Sequence, residues 1–99
     1  MEIGYMKINR VIWLDEIIHK LDRKHNVQQY EVLEIFDTNP YFRFVENGHR
    51  ESENVYAALG QTDGGRYLIV FFVYKKDGKA LIISARDMTP SERRYYEKR

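Results

Sequence analysis

The chain has 99 residues and no cysteine, which predicts one domain with a single core and excludes a disulfide scaffold, a thiolate zinc site and a cysteine nucleophile. Hydrophobic residues make up 43% and charged residues 31%, a balance typical of a folded globular domain. The longest apolar run, Tyr67–Tyr74, is far shorter than the about twenty residues that cross a bilayer, and the first five residues show no signal-peptide pattern. We therefore expect one domain over residues 1–99, located in the cytoplasm and not in a membrane.

Charge is unevenly distributed along the chain. Residues 1–65 carry seven basic and eleven acidic side chains, a net charge of −4, whereas residues 66–99 carry nine basic and four acidic ones, a net charge of +5. The basic second part predicts attraction for a polyanion such as RNA, because phosphate contacts dominate that affinity. The alternative interpretation is a solvated hairpin tip and a solvated helix face.

The first part of the chain predicts a strand followed by two helices. Alternating residues over Lys7–Trp13 predict the strand. Asp15 is the predicted N-cap of the first helix, which ends at Asn26 because Asn tolerates a left-handed backbone. A second helix is predicted over Gln28–Phe36, and its buried side is expected to carry Val32, Leu33 and Phe36.

Four strands and a short helix are predicted to follow. The strands cover Tyr41–Val45, Val55–Gln61, Tyr67–Tyr74 and Ala80–Ala85. Tyr67–Tyr74 is apolar throughout, which predicts a central strand covered on both faces. Thr89-Pro90-Ser91-Glu92 predicts a helix start with a capping box. The predicted fold is α+β: an N-terminal strand and two helices, a four-strand antiparallel meander and a short C-terminal helix.

Several short motifs occur in a fixed order. Residues 81–86 read L-I-I-S-A-R, and a T-x-x-E-R-x-x-Y pattern runs from Thr89 to Tyr96. Upstream are W-x-D at residues 13–15, K-H-N-V at residues 24–27, and L-G … G-R-x-L between residues 59 and 68. Together these motifs resemble the BrnT family of bacterial toxins over residues 11–97, and the C-terminal motif is the most specific of them.

The resemblance implies a RelE-like fold and the ribonuclease toxin of a type II toxin–antitoxin system, which cleaves RNA and so inhibits translation and growth. It also implies a cognate ribbon-helix-helix antitoxin, BrnA-like, through which the toxin would reach operator DNA. One departure stands out. The family commonly has an arginine in the strand before the L-G pair, whereas Val55–Ala58 contains no basic residue. If that arginine holds phosphate, we expect the activity to be weakened, rerouted or lost.

Cleavage of RNA without a metal needs a base for the ribose 2′-OH, cations for the charged phosphorane and an acid for the leaving oxygen. Arginine suits the second task because its planar fork can hold two phosphate oxygens. The predicted catalytic residues are Arg86, Glu92, Arg93, His25 and Tyr96. The predicted RNA-binding residues are Lys24, Arg66, Lys75 and Arg94, of which Lys24 is also a candidate for proton transfer.

Structural roles compete with these assignments. Arg86 could pair with Glu92, which also fits a capping box, and Arg66 could be solvated after its glycine turn. His25 closes a helix, and the ring of Tyr96 could pack on the sheet. The three histidines and the absence of thiolates predict no metal site, and no cofactor is expected.

Three functions remain open from the sequence. The first is an endoribonuclease toxin that acts through the C-terminal arginines. The second is a catalytically degenerate toxin-like module that binds an antitoxin without cleaving RNA, which the missing strand arginine favours. The third is a protein that poisons another target such as gyrase, as ParE-type relatives do, and no specific sequence feature supports it.

Overall fold

The computed structural model describes residues 2–3, 6–49 and 53–99, so Met1, Gly4 and Tyr5 of the stretch inspected for a signal peptide lie outside it. The described residues form six strands and three helices, which confirms the α+β class. No helix among them is long and apolar enough to cross a membrane. In chain order the elements are β1 (Glu2–Ile3), β2 (Arg10–Ile12), α1 (Asp15–His25), α2 (Gln29–Asp37), β3 (Tyr41–Glu46), β4 (Val55–Gln61), β5 (Tyr67–Tyr74), β6 (Lys79–Asp87) and α3 (Pro90–Glu97).

All six strands belong to one mixed sheet with the order β1-β3-β4-β5-β6-β2. The strands β3 to β6 pair antiparallel with their chain neighbours. Strand β2 pairs parallel with β6, with Arg10 opposite Lys79 and Ile12 opposite Leu81. Strand β1 pairs antiparallel with β3, and the sequence analysis did not predict this strand.

Strand β2 is shorter than the predicted Lys7–Trp13 because Lys7 and Asn9 bind the end of β5 and the β5–β6 turn instead. The Asn9 backbone N–H donates to the Gly78 carbonyl at 2.8 Å, and the Asn9 side chain donates to the Asp77 carbonyl at 2.9 Å. The Tyr74 hydroxyl donates to the Lys7 carbonyl at 2.8 Å. These bonds fix the chain before β2 without adding it to the sheet ladder.

The residues at the helix ends explain where α1 begins and ends and where α2 begins. The predicted N-cap role of Asp15 is wrong, because Leu14 is the N-cap and Asp15 is the first helical residue, where its charge still favours the helix dipole. Asn26 ends α1 in the left-handed conformation, with φ of 53°, as predicted. Helix α2 begins with a capping box in which Gln28 and Glu31 each bind the other's backbone N–H.

The buried face of α2 differs from the prediction at one position. Val32 and Ile35 are fully buried, whereas Leu33 is 41% exposed. The predicted buried position of Leu33 is therefore wrong, since Ile35 occupies the core in its place.

The helices lie on both faces of the sheet. Leu21 of α1 and Ile35 of α2 join one core cluster with Phe72 of the central strand β5. Ile69 of the same strand belongs to a second cluster, against which Tyr96 of α3 packs. Because neighbouring strand residues point to opposite faces, β5 is covered on both sides.

A β-bulge interrupts the pairing of β5 with β6. Phe71 is opposite Ser84, but Phe72 is opposite Ile82, so Ile83 is the extra residue. Beyond the bulge Arg86 is opposite Ile69, on the face that carries α3.

We predict that Ile35→Ala lowers the free energy of unfolding by about 2–5 kcal/mol, because it leaves a cavity in a packed core. Leu33→Ala on the same helix is the matched control and should cost less than about 1 kcal/mol because the side chain is already in contact with water. Urea unfolding followed by circular dichroism measures both. Equal costs for the two variants would contradict this assignment of the buried face.

Candidate functional site

An open cavity of about 300 Å³ lies on the α3 face of the sheet. We call it the arginine cavity because two arginines from different strands line it. Its lining residues are Arg43, Phe44, Val45, Ala57, Ile69, Phe71, Arg86 and Glu92. The sheet supplies an apolar floor, and the charged groups of β3, β6 and α3 stand around it.

Arg86 forms a forked ion pair with Glu92 in this cavity. Its Nη1 donates to Oε1 at 2.8 Å and its Nη2 donates to Oε2 at 3.0 Å. Nη1 also donates to the Asp87 carbonyl at 3.1 Å. The Arg86 side chain keeps 34% of its surface exposed, so the pair lies at the cavity wall and not deep inside the protein.

Glu92 is held by its own helix as well as by Arg86. Its backbone N–H donates to the Thr89 hydroxyl at 3.1 Å, and its carboxylate accepts from the Thr89 backbone N–H at 2.9 Å. The predicted capping box is confirmed. The hydrogen bond from Arg86 is the main cause that lowers the pKa of Glu92, with a smaller contribution from Thr89, so the carboxylate is ionised at neutral pH.

Arg43 is the charged residue of the arginine cavity that the sequence analysis did not single out. It lies on β3 directly opposite Ala57 of β4, within the Val55–Ala58 stretch that contains no basic residue. Its guanidinium carbon is 5.1 Å from the centre of the Tyr95 ring. The signal was present in the sequence, because Arg43 interrupts the apolar run between Phe42 and Phe44 in a predicted strand.

The structure does not bring Arg86 together with Arg93 and Arg94, the predicted catalytic and RNA-binding arginines of α3. The described lining of the arginine cavity includes neither Arg93 nor Arg94. The Arg93 guanidinium lies over the Tyr67 ring at 3.9 Å and pairs with Glu97 at 3.6 Å. Arg94 is exposed on α3.

Tyr96 packs on the sheet, which is the structural role that the sequence analysis set against a catalytic one. Its ring packs edge-on against Tyr67, with centroids 6.0 Å apart, and it joins the core on the α3 face. The Arg99 side chain donates to the Tyr96 hydroxyl at 3.3 Å. Tyr96 is therefore beside the arginine cavity and not in its lining.

Arg66 joins elements on the opposite face of the sheet. It donates to Asp87 at 2.7 Å and to Glu31 at 3.2 Å. It also donates to the backbone carbonyls of His25 and Asn26, at 2.8 and 2.6 Å. One guanidinium thus ties the end of α1 to α2 and β6, and the hydrogen bond to Asp87 is the main cause that raises its pKa.

The other predicted residues also lie away from the arginine cavity. His25 and Lys24 are in the last turn of α1, which packs on the opposite face of the sheet. Lys75 follows β5 and pairs with Glu53 at 3.7 Å. Within the residues that the structure describes, no three His, Cys, Asp or Glu side chains form a group that could hold a metal ion.

The fold and the cavity define a small α+β protein with an arginine-lined site suited to an anionic ligand. A similar fold occurs in the crystal structure of the Brucella abortus ribonuclease toxin BrnT, with a TM-score of 0.59 and 17% sequence identity over 86% of this chain and 99% of that one. Residues 15–92 match the family model described as the ribonuclease toxin BrnT of type II toxin–antitoxin systems, so the chain belongs to that family. No curated protein matches the chain in sequence.

We predict that Arg66→Ala lowers the free energy of unfolding by about 2 kcal/mol, because several partly buried acceptors lose a charged donor. Arg66→Lys should recover only part of this loss, since an ammonium group cannot span the same acceptors. Chemical denaturation of the three proteins measures the difference. An unchanged midpoint in Arg66→Ala would contradict the structural role of this side chain.

A second prediction concerns acid stability. Arg66 lowers the pKa of Asp87, and Arg86 lowers the pKa of Glu92, so each carboxylate stabilises the fold above its ordinary pKa. This stabilisation is lost as the pH falls through the lowered folded-state values. In Asp87→Asn the stability at neutral pH should be lower, and its decline between about pH 5 and pH 2 should be shallower than in the wild type. Unfolding curves at several pH values test this, and parallel pH profiles would refute it.

Proposed function

We propose that this chain is a metal-independent endoribonuclease toxin with the arginine cavity as its active site. The observation that supports this best is that Arg43 and Arg86, from two different strands, line one open cavity together with the carboxylate of Glu92. The two guanidinium groups can stabilise the charge of the phosphorane, and the carboxylate can accept the proton of the ribose 2′-OH, which are two of the three requirements of RNA cleavage without a metal.

Arg43 and Arg86 would hold the scissile phosphate. Of the five N–H donors of an arginine side chain, Arg86 directs three to Glu92 and the Asp87 carbonyl. Two donors therefore remain for a phosphate oxygen at the exposed side of the ion pair. Arg43 supplies the second cation and takes the place of the arginine expected in β4.

Glu92 would accept the proton of the 2′-OH. In the resting protein the forked bond to Arg86 keeps its pKa low and makes it a weak base. A bound phosphate competes for the same guanidinium, so the bonds to Glu92 weaken and its pKa rises toward the ordinary value. The 2′-oxygen then attacks phosphorus, the bond to the 5′-oxygen breaks, and that oxygen takes up a proton from water, while Glu92 returns the 2′-OH proton to the solvent. The products are a 2′,3′-cyclic phosphate and a 5′-hydroxyl.

Three of the remaining predicted site residues have supporting places in this proposal. Arg93 and Arg94 would attract RNA to the α3 face without touching the scissile phosphate. Tyr96 would hold α3 on the sheet. His25 and Lys24 lie on the opposite face and have no role in this reaction.

The proposal includes the biological setting that the family implies. The family of ribonuclease toxins in type II systems has an antitoxin partner and an RNA substrate. We assign to this chain one RelE-like domain over residues 1–99, a cytoplasmic location and a ribbon-helix-helix antitoxin, with operator DNA bound only through the toxin–antitoxin complex.

A second candidate function is a toxin-like module that binds its antitoxin without cleaving RNA. The observation that favours it is that Glu92 already occupies both sides of the Arg86 fork. If a phosphate does not displace Glu92 from Arg86, the role of Arg86 is limited to holding α3 on the sheet.

We predict that Arg43→Ala and Arg86→Ala each lower the rate of RNA cleavage about a hundredfold, because each removes a cation from the transition-state charge. The assay uses purified protein and single-stranded RNA, and the diagnostic product is the 2′,3′-cyclic phosphate. Expression without antitoxin should arrest growth for the wild type and not for either variant.

Arg23→Ala is the matched control, since it removes one positive charge from the exposed face of α1 and should leave cleavage unchanged. Wild-type protein that forms a complex with its antitoxin but leaves RNA intact would overturn the nuclease and support the binding module.

A further inference from the structure

A second depression lies at the C-terminal end of α3. Its volume is about 250 Å³, and it is lined by Tyr41, Tyr95, Lys98 and Arg99. We call it the tyrosine pocket. Tyr41 comes from β3 and is almost fully buried, whereas Tyr95 comes from α3 and keeps 51% of its surface exposed. Their ring centroids are 5.7 Å apart, so the two rings form one aromatic wall.

The aromatic wall is accompanied by cations. Lys98 and Arg99 line the same pocket, and neither takes part in the ion pairs formed by the described residues. The Arg99 guanidinium carbon lies 4.1 Å from the centre of the neighbouring Tyr96 ring. An exposed ring among cations without carboxylate partners is the combination by which proteins bind unpaired nucleic acid, with bases on the ring and phosphates near the charges.

The tyrosine pocket adjoins the arginine cavity. Arg43 lines that cavity, and its guanidinium carbon is 5.1 Å from the centre of the Tyr95 ring. A phosphate on Arg43 would therefore lie beside the wall of the tyrosine pocket. In a single-stranded chain, each phosphate is followed within one nucleotide by a base that is free to stack.

We propose that the tyrosine pocket binds the base of a nucleotide next to the phosphate held in the arginine cavity. This proposal rests on the proposed nuclease function and adds its substrate class, which is unpaired RNA. Stacking on Tyr95 accepts any base because every base has a π-face, so the pocket selects single strands and not a particular sequence. A base-paired strand keeps its bases inside the duplex and cannot fill the pocket.

The test is binding of a single-stranded RNA oligonucleotide whose 2′-O-methyl groups block cleavage, compared with the same oligonucleotide carrying abasic sites. Wild-type protein should bind the complete oligonucleotide about tenfold more tightly than the abasic one. Tyr95→Ala should remove this preference, whereas Tyr95→Phe should retain it because the ring remains. Circular dichroism melting verifies that the variants are folded.

Tyr30→Ala is the matched control, since Tyr30 is an exposed tyrosine on α2, on the opposite face of the sheet. It should bind both oligonucleotides like the wild type. If Tyr95→Ala keeps the preference while Arg43→Ala and Arg86→Ala lose binding, the stacking pocket is refuted and the nuclease proposal stands. If the wild type neither binds nor cleaves RNA, both proposals fail.

Discussion

The alternation of side chains at the end of β6 determines how the two layers of helices are held to the sheet. Arg86 and Asp87 are neighbours in sequence, and a strand directs neighbours to opposite faces. Arg86 therefore meets Glu92 of α3 on one face, and Asp87 meets Arg66 on the other, where Arg66 also binds the end of α1. Two consecutive residues thus anchor both helical layers through charged hydrogen bonds.

Arg66 and Arg86 differ in how many of their hydrogen-bond donors the folded protein already uses. Arg66 is 24% exposed and donates to two carboxylates and two backbone carbonyls, so its charge is already neutralised within the fold. Arg86 has one carboxylate partner and lies at the wall of an open cavity beside Arg43. The same type of side chain therefore stabilises the fold in one place and remains available to an anion in the other.

Local sequence signals predicted much of this architecture. The capping box at Thr89, the left-handed end of α1 at Asn26 and the apolar central strand Tyr67–Tyr74 depend on neighbouring residues alone, and the sequence displays them directly. The strand β1 was missed because a two-residue strand carries no periodic pattern. Leu33 was misplaced because an amphipathic pattern over nine residues does not determine which apolar side chain at the edge of the stripe is buried.

The candidate site was harder to predict because it is assembled across strands. Arg86 and Glu92 were identified through a contiguous motif, but Arg43 is far from both in sequence and becomes their neighbour only through the register of the sheet. Arg66 was assigned to RNA because nothing adjacent to it reveals the partners that it meets on α1, α2 and β6. Both outcomes depend on long-range pairing, which a single sequence does not show.

The bulge residue Ile83 determines which face of the sheet the following residues of β6 point to. Ala80 and Ile82 face α1 and α2, and without the bulge Arg86 would share their even-numbered side and point its charge into that core. With it, Ala85 enters the core and the guanidinium emerges at the cavity. The cationic site therefore depends on the bulge: with the same residues paired regularly and no bulge at Ile83, Arg86 would replace Ala85 on the core face, and a buried methyl group would give way to a buried charge.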